Sequence, residues 1–452
     1  MKKQLDILDG KISTIFLNYL IPSVAGMLGV SLYILGDTMF VGRGLGTQGL
    51  AALNISIPII NIFNGLGLLF GIGGATALSI ARGEGREEEV NIIFTKSVLF
   101  CISTGLLIAF LGLGYLKELS LFLGAEEGII LDMSMEYLRT LLFASPFFVL
   151  NSAMVIFVRS DHGPKLSMIA MLAGTISNII LDYVFIFIFK WGMFGAGFAT
   201  ALSPVISLAI ISIHFIKKRN TIKLELAKIE LSIIKRILSN GTASFIMETM
   251  GGIIIFAFNH RILGIRGNMG VSAYSIIANL SLFCVAIFNG IGQAIQPIVS
   301  VNYGARKYER VYEVVRLGIY TSLITGVCFF CIGQFFPKQL SAIFIQGTEK
   351  ELVDVTIIGI RLYFISFLLM GLNTVITAYL QAIEYAKIST YISIGRGCLF
   401  VLVGLMVLPS FFNLNGVWLT LPFAEGITFI LSIVLFKECN NIVKYSIKPL
   451  AQ

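Results

Sequence analysis

The acidic residues that fall inside long apolar runs are few, and they are where this chain could do chemistry. Asp37 stands in SLYILGDTMFVG (Ser31–Gly42) and Asp182 in SNIILDYVF. Asn178 precedes Asp182 by four residues, so on a helix the two share a face. Thr200 follows in GFATALSP. Brought together, Asp37, Asn178, Asp182 and Thr200 would offer a small cluster of carboxylate, amide and hydroxyl oxygens. Two carboxylates in one apolar site cannot both stay ionised without a cation, so one takes up a proton or both share a metal ion. That is the chemistry of ion coupling. The plainer alternative is that both aspartates line water at the outer mouth of a cavity.

The second half of the chain has a different polar set. Glu248 lies in SFIMETMGG, Arg396 in SIGRGCLF and Glu425 in PFAEGITF. Charged groups inside a membrane are costly, so each is a functional candidate by default. Glu248 either meets a cationic substrate or coupling ion, or pairs with Arg396. Glu425 is expected to pack or to line a cavity. Gln293, Gln296 and Asn259 could line a polar cavity, although amides in membranes more often bond helix to helix. His162, His214 and His260 share no metal spacing. Cys328 and Cys331 form a CxxC with no second pair beside it, which reads as apolar packing.

These side chains must be held by membrane-spanning elements. Of the 452 residues 56% are hydrophobic and 13% charged, about half the charged share of a soluble protein. The mean hydropathy is +0.89. Apolar runs of about 20 residues, each enough to cross a bilayer as helix, recur throughout. Only helices or a closed barrel can span lipid, and the runs lack the period-two alternation of barrel strands. An all-α polytopic membrane protein is therefore expected. About twelve spans are predicted, near 12–41, 50–81, 93–116, 133–158, 165–189, 195–215, 236–262, 270–301, 311–335, 355–383, 386–408 and 415–436. The first follows a segment of mixed charge with no cleavage site, against a removed signal peptide.

An even number of spans puts both termini on one side. With that side cytoplasmic, Lys and Arg favour the inner segments roughly three to one. The net charge of +8 then belongs to basic cytoplasmic loops and not to a nucleic-acid partner. The inner loop Lys217–Arg236 has Leu and Ile at helical spacing, which predicts an amphipathic surface helix. It marks a boundary, giving a lobe at 1–216, a cytoplasmic linker at 217–235 and a lobe at 236–452.

The halves repeat. GLGTQGLAALNI (Gly44–Ile55) matches GIRGNMGVSAYSI (Gly264–Ile276), with Gly46/Gly267, Gly49/Gly270, Ala52/Ala273 and Ile55/Ile276 identical at an offset of 221. GIGGATALSIARGEG from Gly71 matches GIGQAIQPIVSVNYG from Gly290, and GAGFATALSP from Gly195 matches GVWLTLPFAE from Gly416. The positions equivalent to Asp37 and Asp182 are Phe258 and Val403, so the second half lacks the aspartate pair. Two pseudo-symmetric six-helix lobes with a site between them suit alternating access. Pro22, on the span that carries Asp37, is a candidate kink. GxxxxGK[ST], HExxH and GxSxG are all absent, so neither a P-loop ATPase nor a hydrolase is expected, and the chain is read as no enzyme.

GDTMFVGRGLGTQGLAALNISIP, GARKYERV after the eighth span, and the repeat resemble the multidrug and toxic compound extrusion (MATE) family. VRSDHGPKLSM, NIILD and GTASFIME resemble its MepA-like bacterial branch. The resemblance covers essentially the whole chain. It implies a secondary antiporter of the bacterial cytoplasmic (inner) membrane that exports cationic, amphipathic small molecules in exchange for H+ or Na+. No cofactor besides that ion is expected, and a monomer, the expected state, can in principle form the cleft. Carried over by residue, the first-lobe cation site falls on Asp37, Asn178, Asp182 and Thr200, which would be metal ligands only under sodium coupling. The bending proline falls on Pro22, and a second-lobe acid on Glu248, about one turn earlier than in the sodium-coupled branch. Glu384 in QAIEYAK stands where a glycine is common. The rival reading within the wider superfamily is a lipid-linked saccharide flippase, whose pyrophosphate would want a strongly cationic cleft.

Overall fold

A computed structural model describes residues 6–225, 230–345 and 350–447, with side chains described to residue 435. All regular structure among these residues is helical: α1 (Ile12–Gly83), α2 (Glu87–Gly114), α3 (Leu116–Phe122), α4 (Ile129–Phe143), α5 (Ser145–Ser160), α6 (Pro164–Asp182), α7 (Gly192–Ile216), α8 (Leu231–Gly304), α9 (Tyr308–Phe335), α10 (Pro337–Ala342), α11 (Lys350–Tyr363), α12 (Phe367–Ala382), α13 (Ala386–Ile394) and α14 (Phe400–Ile447). The backbone has little choice, since lipid offers no partner for a free N–H or C=O.

Three of these helices each hold two spans. α1 breaks at Gly46 (φ 72°), α8 at Gly267 (φ 63°) and α14 at Asn413 (φ 49°). α4 and α5 meet at a 54° bend as one broken span. Counting the breaks, the apolar helical units among the described residues supply twelve crossings, as the hydropathy predicts.

Four of the turns share a sequence pattern. A residue of positive φ, which glycine adopts without strain, is followed three positions later by a glycine. Gly46 and Gly49, Gly192 and Gly195, Gly267 and Gly270, and Asn413 and Gly416 all fit. The second glycine lets the outgoing arm pack on the incoming one. A Cβ on Gly270 would lie 2.7 Å from the Ile262 side chain, and one on Gly416 would lie 2.3 Å from the Leu408 carbonyl. Two of these turns repeat the other two at the offset of 221. At the opposite end, His162 and Glu384 both have φ 61°, and Gly85 and Arg306 have φ 77° and 58°. The repeat read in the letters is thus also written in backbone dihedrals.

Two hydrophobic cores result, one centred on residues 41–211 and one on 258–424. Each also takes in the lead-in and first turns of the other half's first helix. Ile7, Ile12, Ile15, Phe16 and Tyr19 belong to the second core, whereas Ile222, Ile233 and Ile237 belong to the first. Burying one such isoleucine contributes about 1.5–3 kcal/mol.

The surface helix expected from Lys217 does not form: residues 219–225 carry no helix. Side chains of the first lobe take up the backbone instead. The amides of Thr221, Lys223 and Glu225 donate to Asp161 Oδ2, Asn91 Oδ1 and Thr95 Oγ1 at 2.9, 2.9 and 2.8 Å. Bonding at every second residue is an extended pattern, and it leaves Ile222 pointing into the core. Residues 226–229 of this loop lie outside the described residues.

Candidate functional site

α1 reaches α6 through a glycine face. A Cβ on Gly26, Gly29 or Gly36 would press on Met171, Leu172 or Ile179. This approach brings the part of α1 that carries Asp37 alongside the end of α6 that carries Asp182. Asp37 is 5% exposed, Asn178 and Asp182 are 0%, and Thr200 on α7 is 1%. Asn178 Nδ2 donates to Thr200 Oγ1 at 3.4 Å, and Thr200 donates to the Ala196 carbonyl at 3.0 Å. The four residues singled out in the first half are therefore brought together.

Their oxygens are conspicuously unsatisfied. Asp37 Oδ1, Asn178 Oδ1 and both oxygens of Asp182 are buried without a hydrogen-bond partner. Buried polar atoms are nearly always paired, and an orphan costs about 1–3 kcal/mol, more if charged. A proton or a small cation held by Asp37, Asn178, Asp182 and Thr200 is what this oxygen set fits. α6 passes into a π-helical stretch at Tyr183–Ile188 immediately after Asp182, a rare winding found mostly at functional sites.

Tyr137 on α4 belongs with them. Its hydroxyl lies 3.4 Å from that of Thr200, and it faces Asp37. Nothing in MEYLRT marks it beforehand, since a tyrosine in an apolar run is ordinary packing.

A cavity of about 330 Å³ lies between the lobes. Of the second-half candidates, Glu248, Gln293, Gln296 and Arg396 line it, and Asn259 does not. Tyr33 and Thr200 also line it, whereas Asp37, Asn178 and Asp182 do not. The ion cluster and the cavity are thus adjoining compartments.

The alternatives for Glu248 are resolved by Glu425. Arg396 Nε donates to Glu425 Oε1 at 2.8 Å, and Asn373 Nδ2 donates to Oε2 at 2.7 Å. Glu425, expected only to pack or line, is the arginine's partner, and Glu248 is left without one. Arg396 sits in the second π-helical stretch, Gly395–Leu399. The two glutamines are not idle lining. Gln296 Nε2 donates to Thr76 Oγ1 at 3.0 Å, and Gln293 Oε1 accepts from Arg159 Nη1 at 2.6 Å. Both bonds cross between lobes. Arg159, grouped by sequence with the inner loops, is the last-turn arginine of α5, 3% exposed, and it lines the cavity. α1 runs helically through Pro22, its non-helical residue being Gly46.

Beyond the cavity, the end that holds the turns at 84–86, 161–163, 305–307 and 383–385 is tightly closed. A Cβ on Gly83 would lie 2.2 Å from the Val301 carbonyl, and one on Gly304 would lie 2.2 Å from that of Ile80. Asp161 receives Arg82 Nη2 at 2.9 Å, lies 2.9 Å from His214 Nε2, and is bonded by the Thr221 hydroxyl. Burial alone would raise its carboxyl, but the His214 hydrogen bond, the Arg82 charge and the Thr221 bonds hold it at about 2. Arg236 donates to Glu89 and Glu384, each at 2.6 Å, and Asn240 donates to the same Glu384 oxygen at 2.7 Å. Glu384, to which the sequence assigns no consequence, holds Arg236 and Asn240 of its own lobe, and Arg236 carries the link to Glu89 in the first.

Comparison with known proteins agrees with this architecture. The MatE family profile matches residues 22–184 and 242–406. The multidrug export protein MepA of Staphylococcus aureus is 27% identical over 421 residues, covering 91% of this chain and 90% of its own. MepA of Staphylococcus saprophyticus is 27% identical over 413 residues with the same coverage. Among solved structures, an outward-facing multidrug resistance MATE transporter of the MOP superfamily superposes with a TM-score of 0.91 at 23% identity, over 98% of this chain and 99% of its own. A MOP superfamily transporter from Pyrococcus furiosus, described as having a binding pocket of reverse polarity, gives 0.90 at 23% identity with the same coverage.

Proposed function

The chain belongs to the MatE family, and on that premise we propose that it is a multidrug exporter driven by antiport of H+ or Na+. The cation site is Asp37, Asn178, Asp182 and Thr200, and the cargo site is the cavity between lobes 1–216 and 236–452. The observation that carries the reading is the cluster of buried, unpartnered oxygens on Asp37, Asn178 and Asp182, separated from the cavity by Tyr33 and Thr200. A cation arriving there relieves orphaned carboxylates, and relief that differs between two lobe arrangements is what shifts their balance. Thr200 belongs to the cluster and also lines the cavity, so it is the shortest physical link between ion and cargo.

The tightly closed end is the cytoplasmic one on the bias of Lys and Arg, which places both termini in the cytoplasm. The structure's shape then corresponds to the outward-facing half of the cycle. In that half of the cycle cation entry from outside releases cargo outward and then favours the return, in which the cavity closes outward and the cross-lobe bonds of Gln293 and Gln296 part. Working as a monomer is consistent with a cavity formed within one chain. The flippase alternative wants a strongly cationic cleft and is disfavoured because, of the two arginines lining the cavity, Arg396 is already neutralised by Glu425, which leaves Arg159.

The test is flux of a cationic dye in reconstituted vesicles, with pH and sodium gradients imposed separately. Wild type should follow one gradient. Asp37→Asn should reduce coupled flux at least tenfold with normal membrane insertion. Full flux in Asp37→Asn would remove the ion role from this cluster.

A further inference from the structure

The cavity is lined by an acid and a base that the protein leaves without a charged partner. One is Glu248, which has no hydrogen-bond or ion-pair partner among the described residues and lines the cavity. The other is Arg159. Its guanidinium carries five N–H donors, yet its partners are one amide oxygen, Gln293 Oε1 at 2.6 Å from Nη1, and one thioether, Met171 Sδ at 3.9 Å from Nη2. No carboxylate of the described residues pairs with it. An arginine stays charged in proteins, and a buried charge facing only neutral groups is costly. Arg396, on the same cavity, shows the usual remedy in its bond to Glu425.

We propose that Arg159 is the receptor for an acidic group on the cargo, so that, together with Glu248, the cavity selects zwitterionic amphiphiles. The inference deepens the exporter reading and rests on it. A plain cation would satisfy Glu248 but leave Arg159 unpaired and repel it, and repulsion of that kind discriminates as strongly as attraction. A carboxylate matches the planar fork of a guanidinium through two parallel bonds. The remaining wall, with Met27, Val30, Leu68, Ile72 and Phe148, receives an aromatic or aliphatic body. The volume of about 330 Å³ is within the range of drug-sized sites.

The seat also has a mechanical consequence. Nη2 gives up only a weak sulfur contact to an incoming carboxylate. Two-point seating through Nη1 and Nη2 takes the guanidinium from Gln293, a bond that joins the lobes. Closure of this end would therefore return Nη1 to Gln293 and weaken the hold on an acid group as the cavity opens outward, whereas cargo without one would not feel it.

The experiment compares tetramethylrhodamine, which has a free carboxylate beside its delocalised cation, with its methyl ester, a cation alone. Binding of both to purified full-length protein is read by fluorescence polarisation, and flux of both in vesicles under the gradients above. Wild type should prefer the zwitterion. Arg159→Gln should lower the zwitterion-to-ester affinity ratio by about tenfold to a hundredfold, and Arg159→Lys should retain part of it. Because the ratio is taken within one protein sample, a general loss of folded protein cancels. An unchanged ratio in Arg159→Gln, or an ester bound as tightly as the zwitterion by wild type, overturns the proposal. In that case ester flux under an imposed gradient leaves the exporter reading standing. Absence of flux for both dyes overturns both readings.

Discussion

Arg396 and Glu425 form a buried ion pair, Nε to Oε1 at 2.8 Å, with side chains 12% and 2% exposed. The pair ties the π-helical stretch after α13 to the second arm of α14, and it takes Arg396 away from Glu248. Removing one partner of such a pair costs about 3–5 kcal/mol, because the other charge stays buried. Glu425→Gln should therefore lower the unfolding temperature in detergent by several degrees. Glu248→Gln should leave it unchanged or raise it. Equal destabilisation by both variants would mean that Glu248 has a structural partner.

The crossing of α1 with the end of α8 predicts a conformational phenotype. A side chain on Gly304 would meet the Ile80 carbonyl, and one on Gly83 the Val301 carbonyl. Backbone cannot yield as a flexible side chain can, and overpacking of this kind costs about 1–3 kcal/mol. Gly304→Val should pry the closed end apart and shift the population toward the opposite opening. Spin-label distances across residues flanking the 84–86 and 305–307 turns should lengthen. Unchanged distances in a folded variant would show that this contact does not govern closure.

The segments ahead of α1 and α8 should differ in sensitivity residue by residue. Lys307 and Asp9 form a pair at 2.7 Å with 35% and 74% exposure, and such surface pairs are worth little to stability. Arg310 donates to the carbonyls of Ile7 and Gly10 at 2.9 and 2.8 Å, which are charge-assisted bonds of about 1.5–3 kcal/mol each. Arg310→Ala and Ile222→Asp should each open their segment to limited proteolysis, and Asp9→Asn should not. Protection unchanged in Arg310→Ala would detach that arginine from the closure.

Asp161 predicts a pH window. Its carboxyl is held at about 2 against an ordinary 3.8. A lowered folded value contributes stability that is complete above the ordinary value and is lost as pH falls through the window toward the folded one. The difference in thermal stability between wild type and Asp161→Asn should be constant above about pH 4 and shrink as pH drops from 3.8 toward 2. A difference that ignores acidification would mean that the network does not stabilise through this charge.

Much of this could be read from the letters, and the physical reason is the membrane. Lipid forces helices, so hydropathy alone places twelve spans, and rare polar residues such as Asp37 and Asp182 stand out against an apolar background. The matched glycines gave the repeat because a left-handed turn and a close return both need them. What stayed hidden was pairing. Glu248, Glu425 and Arg396 are one acid too many for one base, and only packing shows which acid wins. Arg159 was hidden because its position at a span end looks like a basic loop. The stretch from Lys217 misled because the Leu and Ile of 217–236 fit a helix, while Asn91, Thr95 and Asp161, distant in sequence, hold residues 221–225 extended.

The exchange of leading segments between the two cores bears on how the chain can be made. Residues 7–19 leave the ribosome first, yet they pack against partners such as Ile298, Val311 and Val314, synthesised about three hundred residues later. The first core, in turn, is complete only once Ile222, Ile233 and Ile237 have emerged. Neither lobe is finished when its own six spans are in the bilayer. Maturation must therefore include two dockings at one end of the molecule, one after residue 237 has emerged and one after residues 298–314 have.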